Sequence, residues 1–415
     1  MNAFKTKLVG PFKQLLTFAE LPHKGPLNDE KMPVIDNAGI LLRGNKIEAV
    51  GVFDDLVEDW KIRDVDIEEL QGAVVGMPGL IDAHTHICYG GSRADDYAMR
   101  NAGKSYLEIA RAGGGIWRSV QQTRNASDEE LAEGLTSRAI DHIRKGITTI
   151  EVKSGYGLSV EAEVRMLEII KKVDQVLQVD LVPTCLAAHT LPKDFDGDHR
   201  AYLKYLIREL FPILKKDRLT DRIDIFVEET AFNYEPAKDY LLAAKEAGFD
   251  ITVHADQFTA GGSRLAIEVG AISADHLEAS EKNEIDLLAQ SDTVAIALPG
   301  ASLGLGMGFT PARKILDAGG SLAIASDWNP GSAPMGDLLM QAAVLGVYEK
   351  LSTAEVLAAI TTRAARALNL TDRGSLEPGM LGDFVGFSCE HYKEILYNQG
   401  ALKPRWTWKN GVRWR

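Results

Sequence analysis

Between residues 80 and 330, eight short apolar runs alternate with charge-patterned stretches of helical periodicity. Most of these runs are continuously apolar instead of alternating between apolar and polar residues, which is typical of parallel strands that are covered on both faces. Eight strands joined by helical crossovers predict a closed (β/α)8 barrel. The predicted strands are 80–86, 146–153, 180–188, 223–229, 250–254, 271–277, 293–298 and 321–326, and two of the helical stretches are 129–145 and 160–176.

Side chains suited to catalysis lie at the ends of these runs. The active site of a (β/α)8 barrel is built at the C-terminal ends of its strands, so we expect these side chains to face one common pocket. Histidines that were scattered through the core would not all fall at the ends of the runs. The residues at or just after the run ends are His84, His86, Tyr156, His189, His254, His276 and Asp327.

The two ends of the chain have a different pattern. Residues 38–52 alternate around Gly44-Asn45, and residues 406–414 alternate around Asn410-Gly411, and both patterns predict β-hairpins. We therefore predict a small β-sandwich domain built from residues 1–78 plus 374–415, with the barrel, residues 79–373, inserted between its two parts.

His84 and His86 form a His-x-His pair, and alternate residues of an extended strand point to the same side. An isolated pair of this kind is also compatible with a solvated turn. His254 read alone fits a core histidine, and Asp327 read alone fits a helix cap or an Asx turn. Together the four residues offer three nitrogens and one carboxylate, a set suited to Zn²⁺ or Fe²⁺ with a position open for water.

These motifs resemble the amidohydrolase superfamily and, within it, the imidazolonepropionase family. The resemblance covers nearly the whole predicted barrel and the return to the β domain. The motifs that carry it are DAHTH at 82–86, GGSR at 90–93, ARAGGGI at 110–116, KSGYG at 153–157, SDWNPGS at 326–332, LEPG at 376–379 and GD at 382–383, together with His254 and His276.

The resemblance implies a hydrolase that opens the ring of 4-imidazolone-5-propanoate to give N-formimidoyl-L-glutamate in histidine degradation. It also implies a homodimer. Its implied ligands for one metal ion are His84, His86, His254 and Asp327. The implied substrate contacts are Arg93, Tyr156, His189, Gln257 and Ser332, with Asn329 and Gly331 at the product.

General chemistry agrees with these roles. A metal ion lowers the pKa of water, Asp327 can accept the proton, and His276 can orient the water or stabilise an oxyanion, although a packing role for His276 stays open. Gln257 is an amide and cannot act as an ordinary general base, which leaves proton transfer to Asp327 and His276. Arg93 offers two parallel donors to a propionate. The alternative interpretation is that Arg93 is a surface arginine beside Asp95 and Asp96.

Other candidate residues have more ordinary interpretations. Tyr156 and His189 could cap loops instead of contacting a substrate. A second metal is not predicted, because Lys153 lies on the second strand and the fourth offers Glu228 and Glu229 instead of a lysine. Cys88 is interpreted as a packing residue, since a thiolate ligand would not suit a site of this chemistry.

Charge and cysteine content limit partners and location. The formal net charge of −13 disfavours nucleic acid and anionic membranes as partners, so an anionic substrate needs a local cationic pocket. Three scattered cysteines do not form a disulfide framework, and no membrane anchor is predicted, which favours a cytoplasmic protein. The alternative functions are another cyclic amidohydrolase, a deaminase of the same superfamily, or a non-catalytic scaffold.

Overall fold

The structure is a computed structural model that describes residues 6–60, 65–104 and 106–414. These residues form two eight-stranded sheets. In chain order the strands are β1 (Thr6–Leu16), β2 (Val34–Arg43), β3 (Lys46–Val52), β4 (Val65–Glu69), β5 (Val75–Pro78), β6 (Leu80–Asp82), β7 (Ile147–Lys153), β8 (Asp180–Ala188), β9 (Arg222–Ile225), β10 (Asp250–Ala255), β11 (Ser273–His276), β12 (Val294–Ala297), β13 (Ser321–Ile324), β14 (Phe384–Phe387), β15 (Trp406–Lys409) and β16 (Val412–Arg413).

The helices of the described residues cover the barrel strands and follow ordinary capping rules. Ser127 and Glu130 form a reciprocal capping box at the start of one long helix, and Ser159 caps the next. None of the described helices has the length and apolar composition needed to cross a membrane. The helices are α1 (Phe53–Trp60), α2 (Ala94–Asn101), α3 (Tyr106–Arg111), α4 (Ile116–Asn125), α5 (Asp128–Arg144), α6 (Val160–Asp174), α7 (His199–Asp217), α8 (Tyr234–Glu246), α9 (Gly262–Val269), α10 (Lys282–Gln290), α11 (Pro299–Leu305), α12 (Ala312–Asp317), α13 (Leu338–Glu349), α14 (Thr353–Ala359), α15 (Thr362–Ala367) and α16 (Lys393–Tyr397).

Strands β6 to β13 pair in sequence order as parallel neighbours, which confirms the predicted (β/α)8 barrel. The first and last strands meet just beyond their C-terminal ends. There the Asp327 N–H donates to the His84 carbonyl over 3.0 Å, and the His86 N–H donates to the Trp328 carbonyl over 2.9 Å. The seam that closes the barrel therefore brings together three of the predicted metal ligands.

Two of the observed strands end about four residues before their predicted C-terminal ends. Strand β6 ends at Asp82 instead of residue 86, because the backbone groups of His84 and His86 bond across the seam. Strand β9 ends at Ile225, after which Phe226 forms only an isolated bridge with His254. The residues lost from both strands belong to the loops that surround the predicted site.

The other sheet is mixed and takes strands from both ends of the chain. Its order is β16-β15-β14-β5-β1-β2-β3, and β4 pairs with β1. The rings of Phe12, Phe384 and Trp408 pack together in its core, with Phe384 and Trp408 stacked at 4.6 Å between centroids. The β domain therefore depends on contacts between the first and last strands. The domain limits 1–78 plus 374–415 and 79–373 stay a prediction.

Candidate active site

Five buried side chains meet at the C-terminal end of the barrel. His84 and His86 follow β6, His254 lies in β10, His276 ends β11 and Asp327 follows β13. Each has 3 % or less of its surface exposed. Of the predicted ligands, all four therefore lie in one place, and His276 joins them.

The potential ligand atoms have the separation that a metal ion requires. His84 Nε2 and His86 Nε2 lie 3.6 and 3.4 Å from Asp327 Oδ1, and His254 Nε2 lies 3.3 Å from His86 Nε2. A tetrahedral ion with nitrogen and oxygen ligands at about 2.0–2.1 Å places those atoms roughly 3.3–3.4 Å apart. His84 Nε2 is buried without a hydrogen-bond partner among the described residues, so a cation would satisfy it. The residues fit a divalent cation.

Two carboxylates hold the opposite nitrogens of these rings. Asp275 Oδ2 lies 2.6 Å from His84 Nδ1, and Asp224 Oδ2 lies 2.9 Å from His254 Nδ1. A carboxylate at Nδ1 fixes the proton on that nitrogen and leaves the Nε2 lone pair free for a metal. The two aspartates therefore orient the imidazoles for coordination.

A buried lysine lies between those aspartates. Lys153 Nζ is 2.8 Å from Asp224 Oδ2, 3.8 Å from Asp275 Oδ2 and 2.8 Å from Glu151 Oε1. Burial lowers the lysine pKa, but the three carboxylates outweigh this effect and raise it. Lys153 is thus a charged neighbour of the carboxylates and does not reach the site as a ligand.

Burial favours the neutral form of the three histidines predicted as ligands, which is the form that binds metals. It lowers the pKa of His84 and His86 well below the ordinary value. Burial also lowers the pKa of His254 to about 3, against the opposing effect of Asp224. For Asp327 burial acts in the other direction and raises its pKa to about 7.

His276 has a carboxylate partner of its own. Its Nδ1 lies 3.5 Å from Glu278 Oε2, and the Thr310 hydroxyl donates to its carbonyl. Burial lowers the pKa of His276, but Glu278 raises it and the net shift is upward. The φ angles of His276 (+88°) and Asp327 (+51°) are in the left-handed region, where a non-glycine residue costs about 1–3 kcal/mol. The fold holds both side chains in place at that cost.

Two of the predicted substrate contacts, His189 and Tyr156, lie beside His86 of this centre. The His189 ring stacks on His86 with centroids 5.4 Å apart, and its Nδ1 lies 3.0 Å from the Gly155 carbonyl oxygen. The Tyr156 ring lies 5.9 Å from His86 and 5.6 Å from His189 between centroids. Burial raises the Tyr156 pKa, so this hydroxyl stays protonated. Gln257 is buried three residues after His254.

The loop after Asp327 is folded by its own asparagine. Asn329 Oδ1 accepts from the N–H groups of Gly331 and Ser332, and its Nδ2 donates to the Asp327 carbonyl over 2.7 Å. A Cβ atom on Gly331 would lie 2.3 Å from Arg93 Nη1. The Arg93 guanidinium therefore lies directly against this loop, and a side chain at position 331 would displace it.

Sequence reasoning missed the buried charged residues inside the strands. Asp224 is the acidic residue of the buried strand β9, and Asp275 directly precedes His276. The available signal was an acidic residue within a strand that is expected to be covered on both faces. Glu228, which the sequence analysis named on the fourth run, accepts hydrogen bonds from Phe258 and Thr259.

A cavity of about 770 Å³ lies away from this centre, between the β domain and the N-terminal ends of β11 and β12. Phe18, His23, Arg366 and Arg373 line it. None of the predicted site residues does, so the chemistry of the molecule is placed at the opposite end of the barrel.

Comparisons with known proteins agree with this geometry. The profile of the amidohydrolase family matches residues 75–413. The imidazolonepropionase of Bacillus cytotoxicus is 37% identical over 404 residues, which cover 96% of this chain and 94% of the relative. The enzyme of the same name from Fusobacterium nucleatum is 37% identical over 402 residues, 96% of each chain.

Solved structures share the fold at lower identity. The atrazine chlorohydrolase of Arthrobacter aurescens, crystallised with zinc and atraton, has a TM-score of 0.69 at 17% identity and covers 98% of this chain and 94% of its own. An adenosine deaminase of Xanthomonas campestris with bound zinc has a TM-score of 0.69 at 18% identity over 98% of this chain and 92% of its own. The chain is a hydrolase that belongs to the amidohydrolase family and, within it, to the imidazolonepropionases.

Proposed function

We propose that the chain hydrolyses 4-imidazolone-5-propanoate to N-formimidoyl-L-glutamate, a step of histidine degradation. The observation that carries the proposal is the convergence of His84, His86, His254 and Asp327 at the C-terminal end of the barrel, in a chain 37% identical to an imidazolonepropionase over 404 residues. A small anionic imidazolone is the substrate on this proposal, and neither nucleic acid nor membrane is a partner.

His84, His86, His254 and Asp327 would hold one Zn²⁺ or Fe²⁺ per subunit. Such a cation supplies Lewis-acid chemistry, since it lowers the pKa of water and polarises a carbonyl oxygen. Asp224 and Asp275 keep the ligand nitrogens oriented, and His276 remains free of a ligand role in this assignment.

The substrate is oriented by groups around the centre. Arg93 binds the propionate, because a guanidinium provides parallel charged donors in a molecule of net negative charge. His189 donates its Nδ1 proton to Gly155, so its Nε2 accepts from a ring N–H of the substrate. Tyr156 donates its hydroxyl proton to the substrate, and Ser332 adds a hydroxyl. Asn329 and Gly331 contact the product.

Ring opening needs one proton to move from water to the ring nitrogen. Water adds to the ring carbonyl carbon, and its proton passes to Asp327. His276 donates a hydrogen bond to the carbonyl oxygen as negative charge develops there. The carbon–nitrogen bond then breaks as the ring nitrogen receives the proton from Asp327. Gln257 orients the ring, because an amide cannot take up this proton.

The test is ultraviolet monitoring of 4-imidazolone-5-propanoate with and without a chelator, with identification of the product. Conversion to N-formimidoyl-L-glutamate that the chelator abolishes, and that added zinc or iron restores, is expected. Release of ammonia instead would indicate a deaminase. No conversion by folded, metal-loaded protein would reject the proposed substrate.

We also propose a cytoplasmic homodimer. The three cysteines, Cys88, Cys185 and Cys389, are free and buried, which is compatible with a reducing compartment. Light scattering with size-exclusion chromatography would give the mass, and about 45 kDa in place of twice that value would reject the dimer. Cell fractionation would test the location.

A further inference from the structure

The carboxylate of Asp96 is buried beside the arginine proposed to bind the substrate. Asp96 lies in the first turn of α2 and has none of its surface exposed. Its Oδ2 accepts from Arg93 Nε over 2.8 Å and from the Gly115 N–H over 2.8 Å. Arg118 Nη1 lies farther away, 3.5 Å from Oδ1. One carboxylate oxygen therefore joins the arginine to the glycine segment 113–115.

Asp96 is held in its charged form. Burial raises its pKa, but the Gly115 N–H and Arg93 outweigh burial, and the net shift is downward. A charged acceptor makes a hydrogen bond about twice as strong as a neutral one. The contact with Arg93 is therefore strong enough to restrict a long, flexible side chain.

The contact also decides which face of the guanidinium is free. Asp96 occupies the Nε donor, while Nη1 lies against Gly331 in the loop that follows Asp327. The guanidinium is held between α2 and this loop, and no hydrogen bond from its Nη donors is found among the described residues. The loop begins at the proposed metal ligand Asp327.

The glycine segment is shaped around the same carboxylate. A Cβ atom on Gly114 would lie 2.6 Å from Asp96 Oδ1. The same Cβ atom would lie 2.7 Å from Ile109 Cγ2, so a side chain at position 114 would displace Asp96, Ile109 or both. Gly115 has a φ of +84°, which favours glycine and lets its N–H point at Asp96.

We propose that Asp96 is a positioning residue for recognition of the substrate's carboxylate: it holds Arg93 and the 113–115 segment in the arrangement that receives the propionate. The inference rests on the proposed function. Asp96 does not touch the reacting atoms, so its effect reaches the substrate only through Arg93.

The test compares two substrates in three variants of the metal-loaded enzyme. The substrates are 4-imidazolone-5-propanoate and its neutral propionamide. D96N keeps the shape of the side chain and removes its charge. D95N is the matched control, because Asp95 is the exposed neighbour on the same helix and pairs with Arg118 at 2.8 Å. G114A adds a methyl group against the Asp96 carboxylate and leaves Asp96 itself unchanged.

We expect the parent enzyme to prefer the propionate. D96N and G114A should raise KM for the propionate and lower its kcat/KM by roughly 10- to 100-fold, with kcat little changed. In the same two variants, kcat/KM for the propionamide should fall far less. D95N should have the kinetic constants of the parent enzyme for both substrates. Melting temperatures show whether each variant is folded. If D96N is not folded, the kinetics of G114A test the inference.

Three results would overturn the inference. Equal losses for both substrates in a folded variant would show a merely structural role. Unchanged kinetics in folded D96N and G114A would show that Arg93 needs no such support. If the parent hydrolyses neither substrate, the proposed function fails. The inference then fails as well, because there is no substrate propionate for Arg93 and Asp96 to recognise.

Discussion

Replacing Lys153 with methionine should weaken metal binding, although the change removes a positive charge near a cation site. Lys153 is the cation that lies between Asp224 and Asp275, and these two carboxylates orient His254 and His84. Without it, the two carboxylates repel one another. We expect them to shift or to take up a proton, and either change misdirects the imidazole nitrogens.

The size of the effect follows from the distances. At an effective dielectric constant of about 20, unit charges 2.8 Å apart, as for Lys153 with Glu151 and with Asp224, attract by about 6 kcal/mol per pair. Desolvation offsets most of this attraction, and removal of one partner of a buried pair costs about 3–5 kcal/mol of unfolding free energy. Loss of the groups that orient metal ligands typically lowers metal affinity by about 10- to 100-fold.

The assay is zinc competition between the metal-free protein and a chromophoric chelator, alongside melting temperature. Lys409→Met is the matched control. Lys409 is also buried and pairs with two carboxylates, Asp383 at 2.6 Å and Asp180 at 2.7 Å, but neither holds a proposed ligand. Both variants should have a lower melting temperature than the parent protein. Only Lys153→Met should have a lower affinity for zinc. Zinc affinity that is unchanged or higher in a folded Lys153→Met protein would refute the reasoning, because charge alone would then govern the site.

Three further outcomes follow from the same contacts. Asp327→Asn should leave less than one metal ion per chain by elemental analysis and abolish turnover, and full metal content would remove Asp327 from the ligand set. Arg93→Ala should lower kcat/KM for the propionate substrate by about 10²-fold, since it removes a charged two-donor contact, and unchanged kinetics would remove Arg93 from the site. Trp408→Ala should destabilise the fold by about 3–5 kcal/mol, because the ring is fully buried against Phe12 and Phe384, and calorimetry that shows an unchanged melting temperature would contradict this packing.

The barrel was predictable from the sequence because eight short, mainly apolar runs alternate with stretches of helical periodicity. His254 and His276 lie at the C-terminal ends of two neighbouring strands, so their sequence positions were enough to place them at the same end of the barrel. The position of Asp327 next to His84 was less accessible, because it depends on hydrogen bonds across the seam between the first and last strands. That contact joins residues more than 240 positions apart and has no local signal.

The charged groups beneath the site were not predicted for a related reason. Lys153 and Asp224 lie in two different strands, β7 and β9, that also hold other polar residues. Only the arrangement of the strands in the barrel shows that their charges meet at 2.8 Å. In the sequence analysis Asp96 appeared only in the alternative interpretation of Arg93, as one of two neighbours of a surface arginine. Its burial results from the fold of residues 113–115 over it, which a helical pattern does not predict. The roles of these residues in metal and substrate binding stay predictions.

The mixed sheet has a consequence for the order of synthesis. Strand β5 ends at Pro78, and its antiparallel partner β14 begins at Phe384, so about 300 residues separate two neighbouring strands. At roughly 5–20 residues per second, the ribosome needs about 15–60 s to produce that interval. During this time β5 presents an unpaired edge, the kind of surface that recruits other chains. Nascent chains released before residue 384 should therefore aggregate even when their barrels are complete, and chaperones that bind extended segments should protect the first 78 residues until the last strands arrive.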